Sequence, residues 1–268
     1  MVTINSNYAA SFAANAAKQT QNSLNSAMEK LSSGKRINFA KDDAAGSALG
    51  MRLDAEISAL SVASRNASDG QAFIDTADGA LKESHSLLIR MRELAVQAQN
   101  GTLQTADKEA LALEFDALEA EVTRISDNTT WAGIKVLDGT YSGTGISFRI
   151  GTAENITHKI KNMAATAIGL VAANTVAATA TITNLDTAIA NVSKERAGLG
   201  AVSNRLDSTI SNLDQIRVNL TASKGRIEDA DFAQETGNLA KGQILQQAAT
   251  AMLAQANASK QTVLTLIR

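Results

Sequence analysis

Two histidines, His85 and His158, are the first residues to weigh, because imidazole supplies general bases and metal ligands near neutral pH. They lie far apart in the sequence, and neither belongs to an HExxH helix, the spacing that turns two imidazoles toward one zinc ion beside a glutamate base. His85 falls on the polar side of its expected helix, where a solvated role is the usual one. The chain has no cysteine, which excludes disulfides and thiolate ligands. Serines and acids are plentiful, yet no GxSxG turn presents a serine as a nucleophile. In KDDAAG, Lys41, Asp42 and Asp43 set two carboxylates beside an amine. Neighbouring helical side chains point in different directions, and no glycine-rich phosphate loop precedes them, so a helix cap or a subunit contact is expected. Arg90, Arg92 and Glu93, with Glu114 further on, read as a solvated face whose ion pairs contribute about a few tenths of a kcal/mol each. These residues give no catalytic, metal or cofactor set, and the expectation is a protein that is not an enzyme.

The elements that hold these residues are long helices. Apolar residues recur every seven positions at Leu185, Val192, Leu199, Leu206, Leu213, Leu220 and Ile227, with Ile189 and Ile210 beside the stripe. The same spacing gives Leu53, Leu60, Ala67, Ile74, Leu81, Leu88 and Ala95, flanked by Ala63, Ala77, Met91 and Ala98. Sustained heptads of this kind predict helices paired as a coiled coil. Leu111, Phe115, Leu118, Val122 and Ile125, spaced 4-3-4-3, mark one more amphipathic helix. Asn100 and Gly101 can end the helix before it, and Thr105 or Asp107 can cap its start. Glycines and short alternating runs at 134–137 and 146–150 predict a small β-hairpin region within 129–160. The Ala- and Thr-rich stretch 172–183 reads as the connection into the returning helix.

The two ends share a character: Ala-, Gln- and Asn-rich, with spaced apolar residues. They are Ile4, Tyr8, Phe12, Leu24, Met28 and Leu31 at one end, and Ile244, Leu245, Leu253, Val263, Leu264 and Ile267 at the other. A lone amphipathic helix must bury its stripe against something. The simplest arrangement pairs the termini with each other and with copies in neighbouring subunits. Composition agrees with such a design: 44% of residues are apolar but only 3% aromatic, and proline is absent, so helices can be long and close-packed. A net charge of −2, from 25 basic and 27 acidic residues spread evenly, offers no broad positive surface for nucleic acid. No run reaches the roughly 20 apolar residues of a membrane span, so membrane insertion is not expected, and the N-terminus lacks the pattern of a secretory signal peptide.

Several segments in order resemble bacterial flagellin. They are LSSGKRINFAKDDAAGSALGMRL (31–53), RNASDGQAFIDTADGAL (65–81), IRMRELAVQAQNGT (89–102), WAGIKVLDG (131–139), GLGAVSNRL (198–206), KGRIEDADFAQE (224–235) and ILQQAATAMLAQAN (244–257). The likeness covers about the first 170 residues and the last 85 and is that of a short form, without a large central variable insert. Tyr8 and Phe12 stand where Leu is common in the family, and Lys35 and Phe39 also depart from its usual linking sequence.

The resemblance implies a mainly α fold: long antiparallel helices forming a coiled-coil bundle with the small β-hairpin region, the N- and C-terminal helices pairing as an inner domain. The expected division is 1–32 and 229–268 for the helices of the inner, filament-core domain and 33–46 for a linking segment. An outer conserved domain then takes 47–182 and the returning helix 183–228. It implies a structural subunit that polymerises into the flagellar filament for swimming. Such a subunit is secreted unfolded through the flagellar type III export apparatus with an export chaperone, and it meets filament cap and hook-filament junction proteins. Its terminal helices would order on assembly, since polar helices are marginal alone. A hook-filament junction protein, or a surface ligand acting through a host receptor, are the alternatives. Arg90, Leu94 and Glu114 match positions through which the flagellin-sensing Toll-like receptor recognises flagellins, although Ile89 replaces a typical Gln and Leu118 stands where an Arg can occur.

Overall fold

The computed structural model describes residues 6–151, 154–170, 176 and 179–266. Among the described residues, five helices and four short strands follow in order: α1 (Tyr8–Ser33), α2 (Ala44–Ala98), α3 (Thr105–Asn128), β1 (Thr130–Trp131), β2 (Ile134–Lys135), β3 (Ile146–Arg149), β4 (Asn155–His158), α4 (Thr179–Glu228) and α5 (Phe232–Leu266). With no proline to break them, α2 reaches 55 residues and α4 reaches 50. The chain forms two compact units, a terminal one of residues 1–57 and 219–268 and a central one of 58–218.

In the central unit the heptad residues do what their spacing requires. Ile74, Leu81, Leu88 and Ala95 on α2 and Leu185, Val192, Leu199 and Leu206 on α4 are wholly or almost wholly buried. Leu213 is buried too, and Leu60 is half-buried. Within this unit α2 and α4 run antiparallel, as their polar pairs show. Arg92 donates to Asp186 at 2.6 Å, Arg196 to Asp78 at 2.8 Å, and Gln71 to Asp207 at 2.8 Å. Phe115 and Val122 bring α3 onto the same core, with Leu111 and Leu118 half-buried at its edge.

The expected small β-hairpin region is present, as two separate antiparallel ribbons: β1 pairs with β2 and β3 with β4. The cause is local turn chemistry. Ala132 and Gly133 both adopt positive φ, +48° and +82°, the twist of a two-residue hairpin turn that closes Trp131 against Ile134. Phe73, beside the heptad position Ile74, is the aromatic centre that anchors this region. Its ring meets Trp131, Tyr141 and Phe148 edge-on at 5.9–6.0 Å, the arrangement that aromatic quadrupoles favour. Gly70 is needed one turn earlier, because a Cβ there would stand 2.7 Å from the Phe148 ring.

Helix limits also shift. Thr105 is the first residue of α3 rather than its cap; Gln104 takes that place, and its backbone N–H donates to Asp107 at 3.0 Å. The returning helix starts at Thr179 rather than 183, and of the expected connection at 172–183 the residues before 179, apart from 176, lie outside the described residues.

In the terminal unit α1 packs along α5. Asn7 caps α1 by accepting from the Ala10 N–H at 3.1 Å, and Gly34 ends it in the left-handed conformation. Asp231 caps α5, its Oδ1 accepting from the N–H groups of Ala233 and Gln234. Asn7 donates to the Ala256 carbonyl at 3.3 Å, Gly242 faces Leu24, and Lys30 pairs with Glu235 at 3.4 Å. As the α1 number rises the α5 number falls, so the two helices are antiparallel in a single register.

Candidate functional site

The α1–α5 pair is built with its small residues inward. Ala13 and Ala27 of α1 and Gly242 and Ala249 of α5 are buried, and Leu24, Leu31 and Leu253 are half-buried. The larger apolar residues face outward: Tyr8, Phe12 (69% exposed), Met28, Ile244 (67% exposed), Leu245 and Met252. A helix pair meant to stand alone in water would place these the other way round. Of the terminal residues singled out in the sequence, Ile4 and Ile267 lie outside the described residues, and so do the Val263 and Leu264 side chains.

The chain leaves and re-enters this pair through a polar clasp that sequence reading did not anticipate. Lys35 pairs with Asp229 across an isolated antiparallel bridge. Arg36 donates its backbone N–H to the Glu228 carbonyl at 2.6 Å and its guanidinium to the Ile227 carbonyl at 2.6 Å. The buried Glu228 carboxylate meets Lys35 at 3.2 Å and Lys224 at 3.7 Å, and Lys224 also pairs with Asp54. Gly50 makes room for it, since a Cβ at that position would collide with the Glu228 Oε1. A signal was present in the spacing, because Lys224 and Glu228 stand one helical turn apart. Leu53 is buried in this unit, whereas Leu220 and Ile227, at the end of the α4 stripe, are only half-buried.

Asp42 and Asp43 each close a turn. Asp42 Oδ2 accepts from the N–H of Asn38 and of Phe39 at 3.2 and 2.9 Å, and the Phe39 bond above all lowers its pKa. Asp43 accepts from the Gly46 N–H at 2.9 Å at the start of α2. Both are structural caps.

On the central unit, Arg90 donates to Glu114 at 2.9 and 3.0 Å and to Glu93 at 3.2 Å, and these bonds, Glu114 first, raise its pKa. Arg90, Glu114, Ile89 and Leu113 are exposed, but Leu94 is 1% exposed. Leu94 therefore does not share that surface: it points into the core and can only support the residues above it. His85 is half-buried rather than solvated. His158 Nε2 lies 3.7 Å from Glu195 Oε1, against the backbone at Gly198. Among the described residues no group of three or more His, Cys, Asp or Glu could hold a metal ion, and no helix is long and apolar enough to cross a membrane.

Comparison with known proteins identifies the family. Residues 4–142 match the bacterial flagellin N-terminal helical region and residues 182–267 the bacterial flagellin C-terminal helical region. The chain is 41% identical to a flagellin of Xenorhabdus nematophila over 99% of both chains. It is also 41% identical to a flagellin of Bacillus subtilis, again over 99% of both. A solved structure assigned to the flagellar hook-associated proteins, from Vibrio parahaemolyticus, is 15% identical. It covers 70% of this chain and all of its own with a TM-score of 0.60, and it speaks for the fold alone. With both halves matched in order, joined by a short central stretch, this chain belongs to the bacterial flagellins, the structural subunits of the flagellar filament.

Proposed function

We propose that the α1–α5 pair is the surface through which this flagellin polymerises, residues 1–32 and 229–268 acting as the filament-core domain and 47–228 as the domain outside it. The carrying observation is the inversion of the pair, with alanine and glycine inside and Tyr8, Phe12, Met28, Ile244, Leu245 and Met252 outside. Burying each large side chain is worth about 1.5–3 kcal/mol, which puts the group on the order of 10 kcal/mol. Association costs about 4–15 kcal/mol in lost freedom and ordering. A single neighbour would be marginal; several neighbours in a helical lattice that does not close on itself give a stable polymer. Ordering of the terminal helices accompanies that step, because an alanine seam buries little by itself. The test is removal of residues 239–268. The truncated chain should keep its central helices by circular dichroism and form no filaments on added seeds in electron microscopy; normal filaments would refute the scheme.

Export unfolded through the type III apparatus with a chaperone, assembly beneath a cap on junction proteins, and an extracellular filament complete this reading. The lack of cysteine and proline supports it, since neither crosslinks nor slow prolyl isomerisation would delay threading and refolding. The role is structural, with no catalytic step. The exposed Arg90–Glu114 pair supports a second contact, with the flagellin-sensing Toll-like receptor. Arg90→Ala monomer should then lose signalling in receptor-bearing reporter cells, while an unaltered response would exclude that contact.

A further inference from the structure

All of this chain's sulfur is thioether: it has six methionines and no cysteine. The methionines divide by unit. In the terminal unit Met28, Met51 and Met252 are 44%, 68% and 65% exposed, whereas in the central unit Met91 and Met163 are 0% and 2% exposed. Met1 lies outside the described residues. Oxidation follows access, so a mild oxidant reaches the terminal sulfurs and spares the central ones.

From this partition we propose that Met28 on α1 and Met252 on α5 form an oxidation-sensitive control on subunit addition, with hydrogen peroxide as the oxidant. One peroxide oxygen is transferred to each thioether sulfur. The sulfur gives up two electrons and becomes a sulfoxide, the O–O bond breaks, and the second oxygen leaves as water with both peroxide protons. A flexible apolar side chain thereby becomes polar and chiral, with a strong hydrogen-bond acceptor. Met252 lies two helical turns beyond Ile244, among the outward-facing residues of α5, and Met28 directly follows the seam residue Ala27. Packing a sulfoxide in those places buries an acceptor that the neighbouring apolar groups cannot satisfy. Free subunits carrying it do not add to a filament, while the central unit, its own methionines shielded, stays folded. Subunits already assembled have these sulfurs covered and resist the same exposure. The proposal rests on the α1–α5 pair being the polymerising surface.

The experiment treats the full-length subunit with dilute peroxide, maps sulfoxides by peptide mass spectrometry, and follows seeded filament growth. Sulfoxide is expected at Met28, Met51 and Met252 but not at Met91 or Met163. Growth should drop several-fold with unchanged circular dichroism of the central helices, and methionine sulfoxide reductases should restore it. The variant Met28→Leu/Met252→Leu should grow equally with and without peroxide. Oxidised wild-type protein growing at the untreated rate overturns the proposal, as does a loss that the reductases do not reverse; these two readouts decide it even where the double variant assembles poorly. Failure of the untreated protein to grow under any conditions would instead overturn the assembly reading itself.

Discussion

Glu119 on α3 shows how a single side chain sets a pH dependence. Burial first, and then the neighbouring Asp116 charge, raise its pKa above the ordinary glutamate range. Between that range and the raised value, the folded chain keeps a proton that the unfolded chain has released. This carboxyl therefore makes stability fall as pH rises through the window, and it leaves a fixed penalty above it. Glu119→Gln should consequently unfold at higher urea than the parent at neutral pH, with the gain fading as pH drops below the ordinary glutamate range. Equal midpoints at neutral pH would contradict the assignment. The Asp116 charge is visible one helical turn away in the sequence, but the burial that comes first is not, because it depends on what α3 packs against. Phe73 was equally hard to see: it lies one position off the heptad stripe, and only the fold brings Trp131, Tyr141 and Phe148 around it.

Among the helices, legibility depended on the size of the buried residue. Where leucine and isoleucine repeat at sevens, as from Leu185 to Leu206, the repeat named the buried face, since in the central unit the large residues are the ones inside. In α1 and α5 the apolar pattern was equally visible, but it marked mostly the outer face. The fully buried residues of the contact face are alanine and glycine, which a hydrophobic repeat barely registers, with Leu24, Leu31 and Leu253 only half-buried. A larger residue in that seam should be costly. Ala27, 3% exposed, when replaced by Leu should destabilise the α1–α5 pair by about 1–3 kcal/mol through overpacking and lower filament yield in seeded growth. A filament yield at the parental level would show that the seam tolerates separation of the two helices. In the β region the alternation of residues was readable but the partner of each strand was not, because that choice was made by the turn at Ala132 and Gly133.

At the scale of the whole molecule, the central unit is one continuous stretch, 58–218, and the core it carries is made entirely of its own residues. Residues 58–218 expressed alone should fold cooperatively, keep Trp131 half-buried as in the full chain, and form no filaments. An unfolded fragment by circular dichroism and fluorescence would show that the unit depends on the termini. The terminal unit has the opposite construction: Asn7 meets Asn257 across 250 positions of sequence, so α1 is made long before its partner α5. A chain begins at its N-terminus, and every interrupted product that stops before α5 carries an α1 with nothing to close on. Docking of α1 on α5 therefore waits on the synthesis of α5, however much of the chain between them has already folded.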